Sequence, residues 1–525
     1  MPDLFYDTRD RHILVLGKTG QGKTNLLAWQ AVNDIESREG AVCVIDPKGG
    51  VSSFAEIVSR YIPENRLDDC IWIDMENPIP LDFMSHEKGQ EGAVVADLTY
   101  ILCKGEIDAS AWELSKNISN LLRSLLDVNN HSYFNNPDHE DERCTILDVH
   151  RFFKNPQRQK FILDHITDPD LKGEWTPMPK DVAIGRVLSR SNSIFYNQTL
   201  RTVLGDPKPR LDIKRMLDRK QILLASLPED QDKTASRYGA LLVSKIQHAM
   251  FSPERRAIFE SERTPCFLYI DEFRNFRASE DFTHMLGMAR SFKLCLTLAD
   301  LGFDLIKDAD VRDALTIIDN YIVLKVNNKD AKFFTAMLDS KDLRGKLEKD
   351  KEDALERWIE AGRPVKDRAM IERENLQRLL HKTDPESPRG IRLARKVNQL
   401  YEDWVARGEP EYDSFYLRLQ RLEERAEETP WTVTPSDLED LGSYEAVYIL
   451  ANQKPVLEET PDPPPHERTE EQREKLEYIK KRTQRFYGPS AALFGTNRNS
   501  QDSSGLSPSI PHNKGDDDDI RGPEA

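Results

Sequence analysis

The sequence predicts an α/β fold in which helices cover both faces of a mostly parallel sheet. Short apolar segments typical of buried strands occur at residues 12–16, Ala41–Asp46 and Cys70–Asp74. A helical pattern separates the first two of them, at residues 25–32. Because parallel strands need a crossover connection, usually a helix, this alternation is typical of a layered α/β domain. The 525 residues suffice for one such domain and further modules.

The α/β pattern is interrupted and then returns. From about residue 92 to residue 206 the sequence is mostly helical, and one amphipathic helix is marked by apolar residues at spacings of three and four. These residues are Trp112, Leu114, Ile118, Leu121, Leu122, Leu125 and Leu126. Strand-like segments resume at residues 221–228, 265–271, 294–300 and 321–326, and a last one lies at 444–450.

This pattern divides the chain into segments. We predict an α/β core at 1–91 and 207–340, an inserted all-α domain at 92–206, a charged helical insertion at 341–429, a final core strand region at 430–457, and a charged helix with a disordered acidic tail at 458–525. The tail prediction depends on a Pro-rich break followed by a segment rich in Ser, Asn, Asp and Gly.

The charge is unevenly distributed along an acidic chain. The net charge is −17, which is not typical of a nucleic-acid-binding protein. Residues 51–150 hold 7 Lys and Arg against 19 Asp and Glu, a net of −12, whereas residues 151–250 hold 18 against 11, a net of +7. The basic region could contact phosphates locally, or its charges could be ordinary solvated helix faces.

The cysteines and the hydropathy indicate a cytoplasmic protein. No pair among the 6 cysteines has the CxxC spacing of a zinc or redox motif, and several fall in apolar segments. The sequence contains neither a signal peptide nor an apolar segment of about 18 residues. We therefore expect no transmembrane segment in this chain.

A glycine-rich segment between the first strand and the first helix matches the phosphate-binding motif GxxxxGK[ST]. It consists of Gly17, Lys18, Thr19, Gly20, Gln21, Gly22, Lys23 and Thr24. The backbone N–H groups of such a loop surround phosphates, Lys23 would reach the β and γ oxygens, and the Thr24 hydroxyl would bind Mg²⁺. The sequence therefore predicts ATP and Mg²⁺ as cofactors.

Two adjacent carboxylates follow the apolar segment FLYI. In an open α/β sheet a strand of this kind delivers its terminal side chains to the carboxyl edge, where ligands bind. Asp271 is predicted to support Mg²⁺, and Glu272 to orient and deprotonate the attacking water. The adjacent glutamate favours hydrolysis over simple nucleotide binding.

Two further segments are candidates for the same chemistry. The segment Asp46-Pro-Lys48-Gly ends the second strand and should lie at the same sheet edge, although it could be only a turn. Arg290 precedes the strand at Leu294 and could act as an arginine finger on a neighbouring subunit's γ-phosphate. Alternatively, Arg290 is a surface residue at a helix end.

The order of seven segments of the sequence resembles one family. These segments are HILVLGKTGQGKT, VIDPKGG, ILLASLP, LYIDEF, MARSFKLCLTLAD, YIVLKVNNKDA and VTPSDLEDLGSYEAVYILANQKPV. Together they resemble the cytoplasmic motor of conjugative coupling proteins, the TraG/TraD family of type IV secretion systems, within the HerA–FtsK group of DNA-pumping ATPases. The resemblance covers roughly residues 10–340 and 430–457.

The resemblance implies a RecA-like P-loop NTPase core with an all-α domain set into it. It also implies a hexameric ring with ATP between neighbouring subunits and DNA in the centre, and secretion-channel or relaxase proteins as partners. By this resemblance Lys23 and Thr24 bind nucleotide, and Asp271 and Glu272 serve magnesium and hydrolysis. Arg290 matches the arginine that precedes the penultimate core strands.

The chain departs from the family pattern in three respects. Family members usually carry an N-terminal transmembrane anchor, so that a chain without one would reach the inner membrane only through partners. The family commonly has Gln where this chain has Asp300. The insertion at 341–429 has no assignment from the family.

Four functions are compatible with these features. The first is an ATP-dependent DNA translocase in conjugative transfer, acting on single or double strands. The second is a soluble HerA/FtsK-like helicase or translocase in repair or defence. The third is a protein-handling secretion assembly ATPase that does not act on DNA. The fourth is a slow nucleotide switch, against which Glu272 argues.

Overall fold

The computed structural model of the protein describes residues 11–84, 90–103, 112–228, 234–275, 282–306, 309–340, 368–382, 388–405, 434–450, 455–461 and 467–494. The predicted acidic tail and much of the predicted insertion at 341–429 lie outside these ranges.

The described residues form one mixed sheet. Its strands are β1 (Ile13–Leu16), β2 (Ala41–Asp46), β3 (Cys70–Asp74), β4 (Ile222–Ser226), β5 (Cys266–Ile270), β6 (Leu294–Asp300), β7 (Asn320–Val323), β8 (Glu445–Ile449) and β9 (Val456–Glu459). The spatial order is β3-β4-β2-β5-β6-β1-β7-β8-β9. The first seven strands of this order run parallel, and β8 and β9 are antiparallel. The predicted α/β class is confirmed.

The α-helices of the described residues include those that cover the two faces of the sheet. They are α1 (Lys23–Ser37), α2 (Phe54–Arg60), α3 (Glu91–Cys103), α4 (Trp112–Asn129), α5 (Asp148–Lys154), α6 (Pro156–His165), α7 (Pro169–Gly173), α8 (Asp181–Phe195), α9 (Gln198–Gly205), α10 (Ile213–Asp218), α11 (Thr234–Met250), α12 (Pro253–Ala257), α13 (Phe282–Ala289), α14 (Ala309–Leu315), α15 (Asn328–Ser340), α16 (Arg368–His381), α17 (Pro388–Val405), α18 (Pro435–Asp440) and α19 (Glu470–Tyr487).

The alternation of side chains along β1 creates two cores. Leu14 and Leu16 join a large cluster that includes α3, α4 and α11, while Ile13 and Val15 join a second cluster with α1 and α2. Because both faces are covered, the strand is apolar throughout rather than alternating apolar and polar. This is why the central strands are visible in the sequence as continuous apolar segments.

The segment between β3 and β4 is helical in its described part, with α3 to α10 in succession. The apolar stripe predicted for the helix at 112–126 belongs to α4, and six of its seven members are buried. Trp112, at the first residue of the helix, is 66% exposed. These helices pack their apolar side chains into the larger of the two cores.

Strand β9 was not predicted from the sequence. It pairs with β8 and forms one edge of the sheet. Its side chains alternate between half-buried and exposed, and its sequence VLEE is short and acidic. Short, charged edge strands discourage pairing with other chains.

The charged helix predicted at about 466–486 is α19, and it covers the opposite edge of the sheet. It packs against β3, and its Leu476 and Ile479 are buried in the smaller core. The Thr483 hydroxyl accepts the backbone N–H of Trp72 at 3.0 Å. A side chain of α19 therefore satisfies a backbone donor of an edge strand.

Two described helices fall within the predicted insertion at 341–429. Helices α16 and α17 pack against each other. In the described ranges, no helix combines the length and the apolar character that a membrane span needs.

Removing the apolar contact of α19 should destabilise the fold. Ile479 is fully buried, so Ile479→Ala should lower the free energy of unfolding by about 2–5 kcal/mol through lost transfer energy and a residual cavity. Chemical denaturation measures the change. The control is Glu477→Ala, on the exposed side of the same helix. Equal stability of the two variants would contradict the packing of α19 on the sheet.

Candidate nucleotide-binding site

The loop between β1 and α1 has a backbone that requires glycine. Gly20 and Gly22 have φ angles of 78° and 100°, in the left-handed region that L-residues rarely adopt. A Cβ at Gly22 would lie 2.8 Å from the Cδ1 atom of Tyr444, and one at Gly17 would lie 2.8 Å from the Cβ atom of Leu324. The glycines therefore allow a tight turn with close neighbours on two sides.

The start of α1 is suited to an anion. Gly22 is its N-cap residue and provides no side-chain hydrogen bond, and the first turn contains no acidic residue. The first N–H groups of a helix have no partner within the helix, and the helix dipole favours negative charge there. A loop with positive-φ glycines before such a start has the shape and polarity of a phosphate cradle.

Lys23 is the first residue of α1 and is buried beneath the loop. Its ammonium donates hydrogen bonds to the carbonyl oxygens of Gly17 and, at 3.0 Å, Lys18. Burial lowers the pKa of Lys23 to about 8, and the charge of Asp271 opposes this change. The lysine charge therefore lies inside the loop that would enclose the phosphates.

Asp271 faces the start of α1. It follows the end of β5 and is fully buried. The Thr24 hydroxyl donates to its Oδ2 atom at 3.5 Å, and the Glu272 N–H donates to its Oδ1 atom at 3.0 Å. A hydroxyl beside a carboxylate is the kind of oxygen pair that Mg²⁺ takes when phosphates supply further ligands. The oxygen atoms of Thr24 and Asp271 are therefore a suitable pair of ligands for Mg²⁺.

Lys48 bridges the two adjacent carboxylates. Its Nζ atom lies 3.1 Å from Oδ2 of Asp271 and 3.3 Å from Oε1 of Glu272. Burial alone would lower the pKa of Lys48, but these two negative charges outweigh it and raise the pKa. The segment after β2 thus lies at the expected edge and contacts both predicted acidic residues.

Asp46 holds that segment in place. Its carboxylate accepts the N–H groups of Lys48 and Ala55, each at 2.9 Å. Burial raises the pKa of Asp46 to about 7, against the effect of these backbone donors. Asp46 therefore fixes the turn from which Lys48 extends.

Glu272 has an unusual backbone for a glutamate. Its φ angle is 47°, and its side chain is 16% exposed. One carboxylate oxygen faces Lys48, and the other lies 3.7 Å from Nη2 of Arg274. Left-handed non-glycine residues carry a conformational cost and are common at functional sites. The Glu272 carboxylate is thus joined to Asp271 through their shared contact with Lys48.

Arg290 lies away from these residues. It follows α13 and precedes β6, so it is at the amino edge of the parallel sheet, while the phosphate loop is at the carboxyl edge. The seven residues of β6 separate the two edges by about 20 Å. Arg290 is exposed. It therefore does not join the cluster of its own chain, and any contact with a phosphate would have to be made with another subunit.

The sequence did not identify two groups of neighbours. Tyr444 and Thr460, which flank the β8–β9 pair, lie against Gly22. Arg274 contacts Glu272 from the turn after β5. The positive charge two residues after Glu272 is the only sequence signal for Arg274, and nothing local indicates the other two, because they come from distant parts of the chain.

The sheet order and the glycine loop between β1 and α1 are those of the RecA-like P-loop NTPase fold. The sequence matches no protein-family model and no curated protein.

Solved structures of a conjugative coupling protein share this fold. The unbound monoclinic form of bacterial conjugative coupling protein TrwBdeltaN70 matches with a TM-score of 0.50 and 12% identity, covering 87% of this chain and 86% of that chain. Plasmid coupling protein TrwB in complex with ADP and Mg²⁺ matches with a TM-score of 0.52 and 14% identity, covering 88% and 86%. The resemblance predicted from the sequence is confirmed in the architecture.

The close approach of Tyr444 yields a test of the loop. An alanine at Gly22 would meet both a left-handed φ and the Tyr444 ring, whereas one at Gly20 would meet only a left-handed φ. Since left-handed strain costs about 1–2 kcal/mol per residue, both variants should bind ATP more weakly. Gly22→Ala should bind roughly tenfold more weakly than Gly20→Ala.

Calorimetry with a non-hydrolysable ATP analogue measures both affinities. Adding Tyr444→Ala to Gly22→Ala should restore part of the affinity by removing the clash. Equal affinities for the two glycine variants would show that the contact between Gly22 and Tyr444 does not shape the loop.

Proposed function

We propose that the chain is an ATP-driven DNA translocase, a motor like that of the conjugative coupling proteins. The observation that carries this proposal is the cluster at the carboxyl edge of the sheet. Lys23 and Thr24 at the start of α1 lie beside Asp271 and Glu272 after β5. A switch that only binds nucleotide has no need of the second carboxylate.

Each residue has a distinct role in this proposal. Lys23 neutralises the terminal phosphates, and Thr24 and Asp271 hold Mg²⁺, which screens the phosphate charge. Glu272 takes a proton from the attacking water. Lys48 keeps the two carboxylates from repelling each other, since its ammonium is within 3.3 Å of both. Energy from hydrolysis would then be available for movement.

We further propose that copies of the chain assemble into a ring of six subunits. In such a ring Arg290 serves the ATP of the neighbouring subunit as an arginine finger. Its exposed position at the amino edge, far from the loop of its own chain, is compatible with this role in trans. A head-to-tail contact joins different edges of neighbouring subunits and can close into a ring.

Two observations support DNA as the substrate. The fold is that of a plasmid coupling protein over most of both chains. In addition, residues 151–250 carry a net charge of +7, and Lys154 and Lys160 on α5 and α6 are exposed. Exposed lysines on the helical segment can neutralise DNA phosphates. A relaxase or channel protein would be the partner in a conjugative system.

The overall charge favours a second candidate. A net charge of −17 suits a protein-handling secretion ATPase that never contacts DNA. A HerA/FtsK-like translocase in repair or defence is a variant of the first proposal with different partners.

The experiment is steady-state ATP hydrolysis without DNA, with single strands and with duplex. We expect stimulation by one form of DNA, because a motor couples turnover to its track, and this stimulation should weaken as salt rises. The control, Lys23→Ala, should abolish turnover because the phosphates lose their buried charge. An ATP hydrolysis rate that neither single-stranded nor duplex DNA changes would favour the protein-handling candidate. Normal turnover of Lys23→Ala would contradict the site.

A further inference from the structure

A row of charged side chains connects the end of β6 with Glu272. Asp300 is the last residue of β6, and its side chain is fully buried. Arg274 donates a hydrogen bond from Nη1 to Oδ1 of Asp300. The Nη2 atom of the same guanidinium lies 3.7 Å from Oε2 of Glu272. One arginine therefore faces two carboxylates, one at the end of β6 and one in the turn after β5.

Asp300 also contacts the phosphate loop through its backbone. In the register of β1 and β6, Leu16 is opposite Asp300. The N–H of Gly17, the first residue of the loop, donates to the carbonyl oxygen of Asp300 at 3.3 Å. The residue that holds Arg274 is thus fixed to the loop that would hold the phosphates.

Asp300 is suited to fix an arginine. Burial raises the pKa of Asp300 to about 6, and the charge of Arg274 opposes this rise. The N–H of Leu301 donates to the same oxygen as Arg274, at 2.7 Å. Because Asp300 is fully buried, loss of Arg274 would leave the Asp300 charge uncompensated. Arg274 itself is 28% exposed and has no comparable constraint from burial.

The other side of Glu272 is held by Lys48. With Lys48 near Oε1 and Arg274 near Oε2, the carboxylate lies between two cations. The two terminal nitrogen atoms of an arginine can contact two acceptors at once in a fixed planar geometry. A lysine ammonium has no such fixed geometry. Arg274, which Asp300 contacts on its other side, is therefore one of two cations beside the Glu272 carboxylate.

We propose that Arg274 and Asp300 are positioning residues that set the orientation of Glu272 for water activation. The inference rests on the proposed ATP hydrolysis. Asp300 fixes the guanidinium relative to the phosphate loop, and the guanidinium fixes the glutamate. Neither residue is proposed to touch the reacting atoms. Their loss should lower turnover and leave nucleotide binding in place.

The test compares Arg274→Ala, Asp300→Asn and the double variant with the wild type. Each single variant should lower kcat about 10–100-fold, because a small misplacement of a catalytic group has an effect of that size. The Kd of a non-hydrolysable ATP analogue should change less than about threefold. The double variant should be no slower than the slower single variant, since both disrupt one linkage.

Two further variants sharpen the comparison. Arg274→Lys keeps the charge and loses the fork, so its kcat should stay about tenfold low. Arg473→Ala is the matched control, because Arg473 forms an exposed ion pair with Glu470 on α19, at 3.2 Å. This variant should hydrolyse ATP at the wild-type rate. If Asp300→Asn does not fold, the test uses Arg274→Ala and Arg274→Lys, which change a partly exposed side chain.

The outcomes separate this inference from the proposed function. No hydrolysis by the wild type would overturn the ATPase and the inference together. Wild-type hydrolysis with unchanged kcat in Arg274→Ala would overturn the positioning role and leave the ATPase intact. Additive losses in the double variant, or a loss of analogue binding equal to the loss of kcat, would also overturn it.

Discussion

The parallel register of the central strands is the constraint on which the candidate site depends. Strands β1, β2, β5 and β6 all end at one edge, so that residues far apart in the sequence become neighbours there. The loop after β1 supplies a buried lysine, the turn after β2 supplies Lys48, and the end of β5 supplies Asp271 and Glu272. Because β6 stands between β1 and β5, its last residue, Asp300, reaches both the loop and the turn that follows β5.

Positively and negatively charged side chains alternate in the candidate site. Buried carboxylates next to one another would be strongly disfavoured, and here a cation contacts both members of two neighbouring pairs. Lys48 lies between Asp271 and Glu272, and Arg274 lies between Glu272 and Asp300. A nucleotide with its phosphates would add negative charge beside Lys23, whose pKa is lowered to about 8 by burial. Lys23 therefore offers its positive charge to the phosphates, while the neighbouring carboxylates are paired with Lys48 and Arg274.

The parts of this arrangement that local patterns encode could be predicted from the sequence. Continuous apolar segments indicated the buried strands, and glycine spacing indicated the loop. Contacts between distant segments could not be predicted, such as α19 on β3, β9 on β8, or Tyr444 against Gly22. The link from Asp300 to Arg274 also escaped prediction, because it joins residues 26 positions apart and requires that β6 lie beside β5. The sequence did identify Asp300 as a departure from the family pattern.

We propose that Glu272 activates water at a site that binds ATP through other residues. The most direct measurement is single-turnover hydrolysis by Glu272→Gln, beside its affinity for ATP. We expect near-normal binding with hydrolysis slowed about 10²–10⁴-fold, since the amide keeps the shape of the side chain and loses the base. Hydrolysis at the wild-type rate would contradict this role of Glu272, because another residue would then have to activate the water.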